Sequence, residues 1–338
     1  MVVTFGEIML KLVPPAYERI IQADCMKAEY AGAEANVAVS LANYGLRTSF
    51  VSRLPQNEIG DAALRRMRSY GVGVENVVRG GDRIGIYFVE KGASQRPSKV
   101  IYDRRNSAFA TSSATDYNWD AVFDGASWFH FTGITPALSD NLARICLEAC
   151  EAAHSKGLTV SCDLNYRKKL WDSEKAQKTM DGLCRHVDVC IANEEDAQAV
   201  FGIKAAGSDA SRGIIDPKGY ESVARQLADR YPFTHVAITL RESLSASDNN
   251  WSAILFDGHR FYNSHKYQMH IVDRIGGGDA FGAGLIYGLL ALDGPQQAVD
   301  FATAASCLKH TIEGDFNQVS VHEVLDLVGS GGSGRIVR

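Results

Sequence analysis

The sequence lacks the features that mark nucleic-acid-binding, membrane and secreted proteins. Its 35 basic residues are outnumbered by 40 acidic ones, and a net charge of −5 gives no basic excess for binding nucleic acid. No apolar run approaches the roughly 20 residues that span a bilayer. The first residues carry charges and have no small-residue cleavage site, so we expect no signal peptide. These absences predict a cytoplasmic protein with no nucleic-acid or membrane partner.

Cysteine and histidine spacings also exclude common sites. The seven cysteines contain no CxxC pair, and the nine histidines contain no HExxH spacing. An odd number of cysteines, most of them inside apolar segments, is typical of reduced, buried thiols. We therefore expect neither a disulfide framework nor a histidine metal site.

The pattern of apolar residues predicts an α/β fold. From residue 126, the strand-like segments "SWFHFTG", "LTVSCDLN", "VDVCIAN" and "HVAITLRE" alternate with amphipathic, helix-like segments. Helices are expected at 279–292, 295–310 and 320–328, and a first strand in "VVTFGEIML". This alternation predicts a mainly parallel sheet flanked by helices on both faces. Residues 74 to about 105 instead contain β-rich pieces broken by Gly and Pro, which predicts a separate small β-sheet.

Polar residues follow the predicted strands. Ligands of an open parallel sheet bind beyond the carboxyl ends of its strands. The polar residues at those ends are Asp163, Asn165 and Arg167, then Asn193 and Asp196, then Thr239 and Arg241. We therefore expect the functional site at this edge of the sheet.

The segment "VDRIGGGDAFGAGL" (272–285) holds a glycine turn that opens a helix. A Walker A loop is excluded because no lysine lies between 266 and 309. A dinucleotide-binding fingerprint is excluded as well, because the glycines do not have its GxGxxG spacing. The turn Gly276, Gly277 and Gly278 would therefore bind an anion through backbone N–H groups alone.

Asp279 directly follows this turn. A carboxylate beside a phosphate is repelled unless it receives a proton, and a hydroxyl lying between the two groups would supply one. Asp279 would then act as the base for phosphoryl transfer, with the glycine N–H groups stabilising the transferring group. The positive end of the helix is expected to lower the pKa of Asp279. Its alternative role is that of an ordinary helix-start acid.

Two segments resemble the signatures of the ribokinase-like (PfkB) carbohydrate kinases. "DRIGGGDAFGAG" is similar to D-T-x-G-A-G-D-x-F-x-x-G, and "AGAEANVAVSLANYG" (31–45) is similar to G-G-x-x-x-N-x-A. The resemblance covers nearly the whole chain. It implies a ribokinase-like kinase domain over residues 1–330, with a β lid formed mainly by about 74–105 plus part of 10–31, and a flexible tail at 331–338. It also implies that Asp279 is the catalytic base and that 276–278 form the anion hole.

The same resemblance implies ATP and Mg²⁺ as cofactors. The implied nucleotide-binding residues are Asn165, Asn193, Thr239, Gly276 and Gly278. "NEED" (193–196) matches the family's N-x-x-E with an aspartate in the last position. Asp196 or Glu195 would thus arrange Mg²⁺ through water and the ATP phosphates, and a plain helix start is the alternative.

The sequence departs from the signatures at several positions, and Ala31 replaces the first glycine of the N-terminal one. Arg274 stands where a threonine is common, and "TLRESLSASDNNW" lacks the glycine-rich T-x-G-x-x-G. Only Thr239 of that second motif is matched.

Arginines near the predicted site favour an acidic sugar, because a carboxylate is best bound by an arginine fork. "YFVEKG", "VIYDRRNSA" and "DLNYRKKLW" resemble the 2-keto-3-deoxygluconate kinases of the family. The implied substrate-binding residues are Gly32, Glu34, Asn36, Tyr87, Tyr102, Arg104, Arg167 and Asp315. A solvated surface role is the alternative for each arginine, and Asp103 places a negative charge beside Arg104.

We therefore expect ATP-dependent phosphorylation of 2-keto-3-deoxygluconate at its terminal hydroxyl. The alternatives are a neutral-sugar kinase of the fructokinase or ribokinase type and a non-catalytic sugar or nucleotide sensor. The exposed β edges of a lid also predict a homodimer.

Overall fold

A computed structural model describes residues 1–193, 195–207 and 216–330, so Glu194 and the predicted tail, 331–338, lie outside the described residues. The strands are β1 (Val2–Phe5), β2 (Met9–Val13), β3 (Lys27–Ala31), β4 (Thr48–Leu54), β5 (Val77–Arg79), β6 (Ile86–Glu90), β7 (Lys99–Asp103), β8 (Trp128–Thr132), β9 (Thr159–Asp163), β10 (Val189–Ala192), β11 (His235–Ser243), β12 (Asp248–Phe256), β13 (Phe261–Asn263) and β14 (Tyr267–His270).

The α-helices of the described ranges alternate with these strands over much of the chain. They are α1 (Ala33–Asn43), α2 (Glu58–Ser69), α3 (Trp119–Val122), α4 (Ile134–Ala137), α5 (Asp140–Ser155), α6 (Ser173–Leu183), α7 (Asp196–Phe201), α8 (Pro217–Arg230), α9 (Gly277–Ala291), α10 (Pro295–Lys309) and α11 (Val321–Ser330).

A large sheet runs in the order β13-β12-β11-β10-β9-β8-β1-β4-β5, with β14 paired to β12. All neighbours from β11 to β5 are parallel, and β12 to β14 are added antiparallel. The mainly parallel sheet expected from the alternation is therefore confirmed.

Helices cover both faces of the large sheet. Successive side chains of a strand point to opposite faces. In β8, Phe129 belongs to the core beneath α5, α6 and α8, whereas Trp128 belongs to the core beneath α1, α9 and α10. The parallel strands are buried on both sides, which explains why their sequences read as continuous apolar runs.

A second, four-stranded sheet has the order β3-β2-β6-β7. Its central pair, β2 and β6, is parallel and the outer pairs are antiparallel. The N-terminal segment supplies two of its four strands, and β5 pairs with β4 of the large sheet instead of joining the small one.

The apolar segment "VVTFGEIML" is thus divided between two sheets. We expected one strand, but the chain leaves the large sheet after Phe5 and enters the small sheet at Met9. A Cβ on Gly6 would lie 2.0 Å from the Glu34 carboxylate, so a glycine is required where the chain passes α1.

All seven cysteines are free, and six of them are buried, as the sequence predicted. Across the part of the chain that the structure describes, no helix is long and apolar enough to cross a membrane.

Candidate functional site

One cleft, about 400 Å³ in volume, lies at the carboxyl ends of the parallel strands and is bordered by the small sheet. Most residues that the sequence singled out line it. These are Gly32, Glu34, Asn36, Tyr87, Tyr102, Arg104, Asn165, Arg167, Asn193, Thr239, Gly276, Gly278, Asp279 and Asp315. Gly277, Glu195 and Asp196 are the predicted residues that do not line it.

Each of the three glycines of the turn has different surroundings. Gly276 caps α9 with a φ of 83°, in the left-handed region, and a Cβ there would lie 2.1 Å from the backbone oxygen of Asp315. Gly277 packs against the ring of His310. Gly278 has open space above its Cα and faces the cleft. A side chain at Gly278 would therefore enter the space offered to a ligand.

The helix begins at Gly277, two residues earlier than we expected. Its first i→i−4 bond runs from the Ala280 N–H to the Gly276 oxygen, 2.8 Å away. The N–H groups of Gly278 and Asp279 precede that bond and have no intrahelical acceptor. They are available to an anion at the positive end of the helix.

Asp279 is partly buried at this helix start, and the Asn36 Nδ2 donates to its Oδ2 at 2.6 Å. The pKa of Asp279 is raised to about 7, chiefly by burial. The bond from Asn36 and the charge of Arg167 lower it, and the nearby carboxylates Asp315 and Glu34 raise it. The expectation of a lowered pKa was wrong, because burial outweighs the helix end.

The start of α1 is fixed beneath the cleft. A Cβ on Gly32 would lie 1.9 Å from the Glu7 backbone oxygen, so the two segments approach too closely for a side chain. The buried Glu34 Oε1 accepts bonds from the Thr132 N–H at 3.0 Å and from the hydroxyls of Thr132 and Thr135 at 2.8 Å each. Burial also raises the pKa of Glu34. These bonds join α1 to the end of β8.

The small sheet contributes a tyrosine pair. The Tyr87 hydroxyl donates to Asp315 Oδ2 at 2.6 Å, and the Tyr102 ring stacks on Tyr87 with centroids 5.9 Å apart. The other Asp315 oxygen accepts from Lys11 Nζ at 2.5 Å. The sequence did not single out Lys11, because its partners are distant along the chain.

Arg104 is buried in the cleft wall and paired with a residue that the sequence did not single out. Its Nε donates to Glu7 Oε2 at 2.8 Å, and its Nη2 donates to the same oxygen. Ser107 donates to the other Glu7 oxygen. The negative charge of Asp103 is balanced by Arg83, whose Nη1 lies 2.9 Å from Asp103 Oδ1.

The predicted nucleotide residues Asn165 and Asn193 lie after adjacent strands. Asn165 has a φ of 40°, rare for a residue other than glycine. Asp196 Oδ2 accepts from the Asn193 N–H at 3.0 Å, and its Oδ1 accepts from the Tyr166 N–H at 3.1 Å. Both oxygens of Asp196 are thus used by the backbone, and Glu195 is exposed. This is the geometry of a helix start, the alternative that the sequence allowed.

Two arginines, Arg241 and Arg274, line the cleft near each other. Arg241 of β11 is in register with Trp251 of β12, which places both on the face that carries Thr239. Arg274 lies in the segment before the glycine turn and donates to the Ala246 oxygen at 3.1 Å. Burial and the nearby charge of Arg241 lower the pKa of Arg274. Two of the departures from the family signatures, Arg274 and the segment that contains Arg241, therefore contribute to one wall.

Other residues of this wall could not be found from spacing. Asn249, Trp251 and His310 line the cleft, but their positions depend on the pairing of β12 and on the end of α10. Among the described residues, no group of three His, Cys, Asp or Glu side chains could hold a metal ion.

Comparison with known proteins identifies close relatives. Residues 1–319 match the pfkB family of carbohydrate kinases. The chain is 35% identical to the 2-dehydro-3-deoxygalactonokinase of Haloferax volcanii, covering 98% of each chain. It is 28% identical to the 2-dehydro-3-deoxygluconokinase of Bacillus subtilis, covering 96% of this chain and 93% of that one. The crystal structure of 2-dehydro-3-deoxygluconokinase from Thermotoga maritima superposes with a TM-score of 0.93 at 50% identity, over 97% of this chain and 98% of that one.

Proposed function

Because the chain belongs to the pfkB family of carbohydrate kinases, we propose that it transfers the γ-phosphate of ATP to the terminal hydroxyl of 2-keto-3-deoxygluconate. This acid is also called 2-dehydro-3-deoxygluconate, and the product would be its 6-phosphate. One observation carries the proposal. A single cleft combines Asp279, at the open side of a glycine turn, with Arg104 and Arg167.

Asp279 supplies the base. With a pKa of about 7, its carboxylate is partly ionised at neutral pH and basic enough to accept a hydroxyl proton. The hydroxyl oxygen bonds to the γ-phosphorus while the bond to the β–γ bridging oxygen breaks, and ADP leaves. The N–H groups of Gly278 and Asp279 stabilise the charge on the transferring group.

Cationic side chains at the acceptor end support a carboxylate in the substrate. Arg104 donates to Glu7 through Nε and Nη2, and within the described residues its Nη1 donates to no protein acceptor. Arg167 lines the same cleft and lowers the pKa of Asp279. The carboxylate of a sugar acid could accept a bond from Arg104 Nη1 and pair with the charge of Arg167, whereas a neutral sugar carries no charge that either side chain could pair with.

The opposite end suits the phosphates of the donor. Arg241 and Arg274 lie close enough for their charges to repel, and a polyphosphate between them would relieve that repulsion. Among the described residues, no cluster of acidic side chains could enclose Mg²⁺, which fits a cation held mainly by the nucleotide phosphates and water. Asp163 is a carboxylate in the cleft wall that could bind one of those waters. Bound Mg²⁺ would neutralise the charge on the phosphates.

A substrate panel tests the proposal. The purified chain, ATP and Mg²⁺ would be assayed for ADP release with 2-keto-3-deoxygluconate, its galactonate epimer, fructose and ribose. The arginines predict a kcat/KM about 10- to 100-fold higher for the acids than for the neutral sugars, the size of a charged hydrogen bond. Phosphorus NMR of the product would locate the phosphoester. Preference for a neutral sugar would contradict the acid assignment, and no turnover in any assay would support the non-catalytic alternative.

The galactonate epimer is a second candidate substrate because the Haloferax volcanii relative is named for it. The two acids differ in the configuration of one hydroxyl and share the carboxylate and the terminal hydroxyl. The mechanism above applies to both, and the ratio of their kcat/KM values would decide between them.

A further inference from the structure

Two fully buried lysines lie beneath the cleft, and the mechanism above uses neither of them. The side chains of Lys11 and Lys309 are 1% and 0% exposed. An ammonium group is rarely buried without partners, because it loses its hydration. The partners of each lysine therefore show which segments its ammonium group holds together.

Lys309 joins two segments through their backbones. It is the last residue of α10, and its Nζ donates to the Asp273 oxygen at 3.2 Å and to the Ile312 oxygen at 3.3 Å. Asp273 begins the segment 273–278 that contains the glycine turn, and Ile312 begins the loop 312–315. One ammonium group thus bridges the turn segment and the loop.

Lys11 joins the same two segments from the small sheet. Its Nζ lies 2.5 Å from Asp315 Oδ1 and 3.9 Å from Asp273 Oδ2. Burial alone would lower the pKa of Lys11, but the carboxylates of Asp315, Asp273 and Glu29 raise it above its usual value. Lys11 is therefore charged at neutral pH.

Direct contacts show why the loop controls the turn. The Asp273 carboxylate accepts the N–H of Ile275 at 3.1 Å through one oxygen and the N–H of Gly314 at 3.2 Å through the other. Gly276 packs on the backbone oxygen of Asp315 so closely that a Cβ would lie 2.1 Å from it. A shift of the loop would consequently displace the N–H groups that follow Gly276.

We infer that Lys309 and Lys11 are positioning residues that hold the anion-binding turn 276–278 against the loop 312–315. Lys309 acts on the backbone of both segments, and Lys11 connects them to the small sheet. The inference rests on the proposed function, since it takes the turn as the site of the transferring phosphoryl group. A displacement of about 1 Å at such a site can lower a rate about 100-fold.

Replacement of Lys309 by alanine tests this inference through chemical rescue. Lys309→Ala removes the ammonium group and leaves a space for a small cation between the two carbonyl oxygens. We expect kcat to fall about 10- to 100-fold, with a smaller change in KM for ATP. Ammonium or methylammonium chloride should restore part of kcat, whereas sodium chloride at the same ionic strength should not.

Two variants serve as controls. Lys178→Ala removes an exposed lysine of α6 and should leave kcat and its response to ammonium unchanged. Lys309→Met fills the space with an apolar chain, so it should have a low kcat that ammonium does not restore. If Lys309→Ala is unfolded at the assay temperature, ammonium should raise its Tm more than sodium does.

The outcomes separate this inference from the proposed function. The inference would be overturned if Lys309→Ala and Lys309→Met both fold and keep the kcat of the wild type. It would also be overturned if Lys309→Ala has a lower kcat and ammonium restores neither its kcat nor its Tm more than sodium does. Absence of turnover by the wild-type protein with every sugar acid would instead overturn the proposed function. In that case, the ammonium-specific gain in Tm of Lys309→Ala would still test the inference.

Discussion

At the scale of single residues, Asp279 connects activity to pH. Its pKa of about 7 means that this proposed base is protonated in acid and becomes competent as pH rises through neutrality. We expect kcat/KM to rise with pH through about 7, and Asp279→Asn to lower kcat by about 10²–10⁴ while ATP still binds. A pH–rate profile and calorimetric titration with ATP measure the two effects. Undiminished turnover by the variant would exclude Asp279 as the base.

The same carboxyl predicts an opposite trend in stability. In the folded protein, the Asp279 carboxyl keeps its proton up to about pH 7, whereas in the unfolded chain it loses that proton near the ordinary aspartate pKa of 3.8. The folded state therefore binds more protons in this window, and stability is lost as pH rises through it.

Thermal unfolding at a series of pH values checks this trend. The Tm of Asp279→Asn, relative to that of the wild type, should increase from about pH 5 to about pH 8, because asparagine does not ionise. Asp293→Asn, at an exposed position, is the matched control and should show no such increase. A Tm difference that is independent of pH would contradict the raised pKa.

At the scale of elements, the pairing of Arg104 with Glu7 joins the end of β7 to the segment between β1 and β2. Arg104→Ala should weaken binding of a sugar acid by about 1.5–3 kcal/mol, the size of a charged hydrogen bond. It should also lower the free energy of unfolding by about 3–5 kcal/mol, because Glu7 remains buried without its cation.

A double variant separates the structural role of Arg104 from its proposed role in substrate binding. Arg104→Ala combined with Glu7→Gln removes the unpaired charge, so it should recover stability without recovering affinity for the acid. Calorimetric titration with a sugar acid and a neutral analogue, together with Tm, distinguishes these effects. An equal loss of affinity for the neutral analogue would show that Arg104 has only a structural role.

The elements also show what could be predicted from the sequence. The parallel sheet was predictable because buried strands and amphipathic helices alternate over short distances. The division of "VVTFGEIML" was not, since it depends on the approach of Gly6 to Glu34, which is distant along the chain. The pairing of Glu7 with Arg104 was not predictable for the same reason.

The candidate site shows the same limit. Sequence spacing identified Asp279 and the turn, but the helix start suggested a lowered pKa for Asp279, which was the wrong direction. Burial determines that direction, and the sequence alone does not show how the folded chain buries Asp279.

At the scale of the whole molecule, the small sheet has two outer strands, β3 and β7. The outer strand β7 carries Ile101, which is 52% exposed, and Tyr102, which lines the cleft. An outer strand with exposed apolar side chains offers free backbone groups to another chain. Strand β7 is therefore the candidate edge for the predicted homodimer. Dimerisation through β7 would cover Ile101, the neighbour of Tyr102.

Sedimentation velocity tests this prediction. We expect the wild-type chain to sediment as a dimer at micromolar concentration. Ile101→Lys should shift it to a monomer, because a lysine on an edge strand opposes pairing with a second copy. Ile59→Lys, at a position of α2 that is 42% exposed, is the matched control and should remain dimeric. A monomeric wild type would contradict the homodimer, and a dimer that survives Ile101→Lys would place the interface on another surface.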